Sequence, residues 1–139
     1  MESYKELKQR HQAEVNAFDI GAAFSKEQFR EMMEKWGFRE NQLDKIISIG
    51  AGCYIKKSDR DEYINMLKRH KKEREEAIAA DKDGTGFIYQ MFLRTMCDHE
   101  YGYTYDLDDT LEALGLDMNT IMESAALSAG LKKAMNNFH

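Results

Sequence analysis

Apolar positions recur at three- and four-residue steps along most of this chain, the period of an amphipathic helix. Tyr4, Leu7, His11, Val15 and Phe18 form one such stripe, opened by Ser3 and Glu6 in the spacing of a capping box. Ser25 and Gln28 repeat the box ahead of a second stripe, Phe29, Met32, Met33 and Trp36, with Gly37 placed to end it. A short helical turn is predicted over Leu43, Ile46 and Ile47, ending at Gly50, and one short extended segment near residues 52–56. Asp59 and Glu62 open a long helix whose inner positions are Tyr63, Met66, Leu67, His70, Ala77 and Ile78. From Phe87 to Cys97 apolar residues cover most of the helical circumference, which predicts a helix at the centre of a bundle. Gly102 is expected to end it, with Tyr101 to Tyr105 as an aromatic connector. Leu107 to Leu114 reads as a short helix stopped by Gly115. Asp117 or Asn119 opens a last helical region with Met118, Ile121, Met122, Leu127, Leu131, Met135 and Phe138 inward. The expected fold is all-α, a compact bundle of about six to seven helices around a central apolar helix near 87–100, in a single domain spanning 1–139.

Composition narrows the class. With 139 residues, 42% apolar and 32% charged, the chain can bury a true core and lies far from the disordered regime. It has no proline, so the strongest helix breaker is missing. The formal charge of −5 gives no general attraction to nucleic acid or to an anionic membrane. No apolar run approaches the ~18 residues of a membrane span, and the charged first residues do not read as a signal peptide. Cys53 and Cys97 are far apart, in no metal-ligand spacing, and read as reduced thiols. These features predict a cytoplasmic protein without a cofactor.

Four segments offer chemistry. Asp81-Lys-Asp-Gly-Thr-Gly-Phe-Ile88 nearly spells an EF-hand loop, with Asp81, Asp83 and Thr85 at the first three ligand positions. Position 12 is Phe92 rather than a bidentate Glu, so a helix–turn–helix corner is the stronger reading of the loop. Cys97-Asp98-His99-Glu100 contains hydrolase residue types, but neighbours on a helix point about 100° apart and do not converge on one atom. Tyr101, Tyr103 and Tyr105, followed by Asp106, Asp108 and Asp109, form a candidate partner-binding patch of aromatic and acidic residues. Lys68 to Lys72 with Arg74 is basic, yet Glu73, Glu75 and Glu76 lie four residues beyond Arg69, Lys71 and Lys72, as on a solvated helix face. No phosphate-binding loop, zinc spacing or nucleophile elbow is present in the sequence.

The phrases Gly86-Phe-Ile-Tyr-Gln-Met-Phe92 and His99-Glu-Tyr-Gly-Tyr-Thr-Tyr-Asp-Leu-Asp-Asp109 resemble a family of small uncharacterised proteins. That family is carried by gut Firmicutes and their integrated mobile elements. Ser48-Ile-Gly-Ala-Gly52 and Gly130-Leu-Lys-Lys-Ala134 fit the same resemblance, which implies a bacterial setting and no established activity. The expected function is a non-enzymatic protein-interaction module, an adaptor or inhibitor, whose partner is another protein and neither nucleic acid nor membrane. Two alternatives stand beside it. One is a metal-dependent hydrolase or nuclease using His99, Glu100, Asp106, Asp108 and Asp109; the other is a degenerate calcium-binding helix–loop–helix at Asp81.

Overall fold

The computed structural model describes residues 2–138. The protein is mainly helical, and among the described residues a small three-stranded sheet departs from the all-α expectation. Its contacts gather into two compact units, Arg10–Lys71 and a second formed by residues 1–9 with Lys72–His139. Helices α1 (Tyr4–Ala17) and α3 (Arg60–Ala80) contribute residues to both.

The Arg10–Lys71 unit also holds β1 (Ile20–Ala22), α2 (Lys26–Lys35), β2 (Ile46–Gly50) and β3 (Cys53–Lys56). The strands are antiparallel in the order β1-β3-β2, with Ile20 opposite Ile55 and Ile47 opposite Ile55 from the other side. The helical turn expected over Leu43–Gly50 is thus corrected. Only Leu43–Lys45 is a 3-10 turn, and the rest is strand. Ile46, Ile47 and Ile49 are β-branched and prefer a pleated surface. Gly50, Ala51 and Gly52 then reverse the chain at positive φ (94°, 53° and 75°), a conformation glycine adopts without strain. The segment expected to be extended alone finds partners on both sides. Met32, Met33, Ile55 and Met66 form the buried interior, whereas Leu67, expected inward, is 44% exposed.

Polar contacts tie this unit together. Asp19 accepts the Trp36 indole N–H at 3.1 Å and pairs with Lys56 at 3.2 Å, which holds its carboxyl below the ordinary value, the Trp36 bond most of all. The Arg69 guanidinium donates two bonds to the Glu14 carboxylate, and the His11 and His70 rings stack at 3.8 Å. Arg69 thus reaches across to α1, and of the expected four-apart pairs Lys72 and Glu76 lie 3.9 Å apart. The Arg69 bond pulls the Glu14 pKa down from 4.5 to about 2. A carboxyl whose folded pKa is depressed adds stability above its unfolded value, and that stability is lost as pH falls toward the folded value. The Glu14 contribution is therefore fully present above about pH 4.5 and fades toward pH 2. An NMR titration of the side-chain carboxyls is expected to find Glu14 ionised well below the other glutamates, and Arg69→Gln is expected to move it back toward the ordinary value.

In the second unit, α4 (Phe87–Asp98), α5 (Tyr101–Thr104), α6 (Asp108–Leu114), α7 (Met118–Glu123) and α8 (Ala125–Asn136) share a core with Tyr4 and Leu7 of α1. Helix α4 buries Phe87, Ile88, Met91, Phe92, Thr95 and Met96, and packs against α5, α6 and α8. Gln90, Arg94 and Cys97 on its other side are exposed. The last helical region divides in two because Ser124 is extended and its hydroxyl accepts the Leu127 amide, capping α8. Met118 and Met122, expected inward, are 45% and 73% exposed. Cys53 and Cys97 are both free thiols. Among the described residues no helix is long and apolar enough to cross a membrane.

Candidate functional site

Two of the four segments define the chemistry of the second unit, and both are built by backbone turns next to α4. In the loop before it, Asp81 Oδ1 accepts the Gly84 amide at 3.2 Å. Its Oδ2 accepts the amides of Gly86 at 3.1 Å and Ile88 at 2.9 Å. Asp83 Oδ1 accepts the Thr85 amide and hydroxyl at 3.0 and 2.7 Å, and the hydroxyl bond is the chief reason its carboxyl titrates below the ordinary value. The loop amides thus converge on carboxylate oxygens, satisfying the orphan N–H groups at the start of α4. Asp81 is the cap that Gly86 cannot supply. In this arrangement Asp81 and Asp83 accept the loop amides, and the Thr85 hydroxyl donates to Asp83.

At the other end, α4 stops at Asp98 rather than at Gly102. Glu100 takes the left-handed conformation (φ 58°, ψ 30°), and so does Tyr105 (φ 54°, ψ 23°). Between them α5 forms a single turn, closed by the Tyr105 amide donating to the Tyr101 carbonyl at 2.8 Å. Gly102 lies inside this turn, where a Cβ would approach the Phe138 ring to 3.3 Å. Thr104 Oγ1 then accepts the Asp106 amide, and Asp106 Oδ1 accepts the Asp108 amide, leading the chain into α6.

This turn divides the three tyrosines. An extended connector would place alternate residues on one face, but successive helical residues rotate by about 100°. Tyr101 therefore points inward, 2% exposed, its ring edge-on to Phe138 at 5.0 Å and to Tyr105 at 5.6 Å. Tyr103 points the opposite way and is 88% exposed; Tyr105 is 55% exposed. Tyr101 is accordingly a core residue rather than a member of the patch. Asp106, Asp108 and Asp109 are all exposed, as is Glu100, while His99 is half-buried. Among the described residues no three His, Cys, Asp or Glu side chains are placed to hold a metal ion.

Sequence reasoning missed the cluster of Glu14, Arg69, His11 and His70. Both histidines fall on predicted inward stripes, but nothing in their spacing signals that the stripes meet there. It also missed an open cleft of about 780 Å³ in the Arg10–Lys71 unit, lined by Phe24, Lys26, Phe29, Arg30, Asn41 and Tyr54. Those residues come from three separate segments, none with a motif of its own.

Residues 3–137 match the model of a family of unknown function (DUF7659). No curated protein and no solved structure matches the chain.

Proposed function

The chain belongs to this family of unknown function, and we propose that it acts as a non-enzymatic protein-binding module, an adaptor or inhibitor, through the turn at residues 100–106. The observation that supports this reading is the presentation of Tyr103. A large aromatic side chain stands 88% exposed on a one-turn helix bracketed by two non-glycine residues in left-handed conformation. Each such residue costs roughly 1–3 kcal/mol and persists only where its surroundings enforce it. Here Tyr101 anchors the turn in the core, packed against Phe138, with the buried face of α4 beside it. Tyrosine combines contact area with few rotors and is enriched among interface hot spots. The neighbouring Glu100, Asp106, Asp108 and Asp109 would favour a basic partner surface. From the family resemblance we infer a bacterial cytoplasmic setting beside mobile elements.

Affinity capture from a bacterial lysate tests the proposal with a paired variant, Tyr103→Ala with Asp106→Asn. The asparagine keeps an acceptor for the Asp108 amide, so the charge and the ring are removed while the turn stays intact. The wild type is expected to recover a stoichiometric protein partner, and the variant at least tenfold less of it at an unchanged melting temperature. Equal recovery by both would remove the turn from the function.

A further inference from the structure

We infer that the open cleft of the Arg10–Lys71 unit binds a nucleotide, a planar base carrying phosphate. The overall charge of −5 conceals an uneven distribution. Residues 10–71 carry twelve Lys and Arg against ten Asp and Glu, a net +2, while the other residues carry eight against fifteen, a net −7. The net negative charge of the whole chain therefore does not repel anionic ligands from this unit.

The cleft offers both halves of nucleotide recognition. Its floor is aromatic: the Phe29 and Tyr54 rings meet edge-on at 5.7 Å, and Phe24 stands 73% exposed at the mouth. The Phe24 ring lies against Gly52, where a Cβ would fall 2.6 Å from it, and the Ala23 amide donates to the Gly52 carbonyl at 2.9 Å. The exposed ring thus rests one edge on the hairpin. Around this floor stand cationic and amide groups with donors to spare, beside the Glu40 carboxylate, which also lines the cleft. Lys26 makes no ion pair among the described residues. Arg30 uses Nε to hold Glu40 at 3.3 Å, leaving its terminal nitrogens unbonded among them, and the Asn41 amide is likewise unbonded. A base stacked on the aromatic floor would leave phosphate to Lys26 and Arg30 and a base edge to Asn41. The cleft, near 780 Å³, is open to solvent and leaves room for a nucleotide unit. The same chemistry is offered by a free mononucleotide and by one unit of a single strand.

Fluorescence anisotropy of the full-length protein with a labelled twelve-residue oligothymidylate, and calorimetry with adenosine and thymidine monophosphates, separate the two sources. Binding of the monophosphates assigns the cleft to free nucleotides; binding of the oligonucleotide alone assigns it to single strands. With two phosphate contacts the oligonucleotide affinity is expected to fall with salt at a logarithmic slope of about −1.4. Lys26→Gln with Arg30→Gln is expected to reduce binding at least tenfold and flatten that slope. Phe24→Ala is expected to weaken binding about fivefold or more. Lys132→Gln with Lys133→Gln removes the same charge elsewhere and is expected to leave binding unchanged. No binding of any probe at 50 mM salt, or binding that the Lys26/Arg30 variant leaves within twofold, would overturn the assignment.

Discussion

Gly84→Ala is expected to destabilise the protein by about 3 kcal/mol or more, lowering its melting temperature by about 10 °C. Two effects act together at this position. Gly84 has φ +77°, which costs an alanine roughly 1–2 kcal/mol, and an added Cβ would overlap the carbonyl oxygen of Ala126 on α8. That oxygen is backbone, so relief requires moving a helix rather than a rotamer. Gly130 returns the contact from α8: its own Cβ would approach the Gly84 carbonyl oxygen to 2.7 Å. Gly115→Ala carries the first effect alone, so the difference between the two variants isolates the second. It also has positive φ (66°), but its Cβ would meet nothing within 4 Å. Thermal unfolding of the two variants side by side is expected to rank Gly84→Ala well below Gly115→Ala. Similar melting temperatures would mean that the loop and α8 do not pack this closely.

Asp81→Ala is expected to cost about 2–4 kcal/mol. Its carboxylate satisfies three amides, and two of those bonds, to Gly84 and Ile88, are partly shielded from water. Truncation leaves these donors without their acceptor at the entry of the helix that holds Phe87, Ile88, Met91 and Phe92 in the core. Asp81→Asn keeps one acceptor oxygen and should fall between alanine and wild type in denaturant midpoint. Millimolar calcium separates this role from a ligand role. A ligand that binds only the native state raises its stability, so an unchanged midpoint with calcium fits the cap, whereas a clear rise lost in Asp81→Ala would restore the calcium reading.

Helices with regular stripes and local caps were legible because their determinants are close in sequence. The Ser3–Glu6 box forms reciprocally, with each backbone amide bonded to the other side chain. At Ser25 the box is altered, since the Gln28 side chain accepts from the Phe24 amide instead. Gly37 and Gly115 end their helices in the left-handed conformation that their residue type predicts. Features set by distant partners were not legible. Ile46–Gly50 is a strand because β3 lies beside it, and no periodicity in so short an apolar run distinguishes strand from helix. Met118 and Met122 fit a helical stripe whose other members, Ile121, Leu127 and Leu131, take the interior. The candidate patch was visible as composition, but its geometry turned on Glu100 and Tyr105. Nothing in those residue types announces positive φ, and that conformation sends Tyr101 inward and Tyr103 outward.

Site-specific photocrosslinking tests the binding-module reading most directly. A benzophenone amino acid at position 103 keeps an aromatic ring on the turn, and the same probe at exposed Met122 provides a comparison on another surface. One dominant protein crosslink from position 103, and little from position 122, is expected. Crosslinks confined to position 122, or a diffuse background from both, would contradict the binding-module reading.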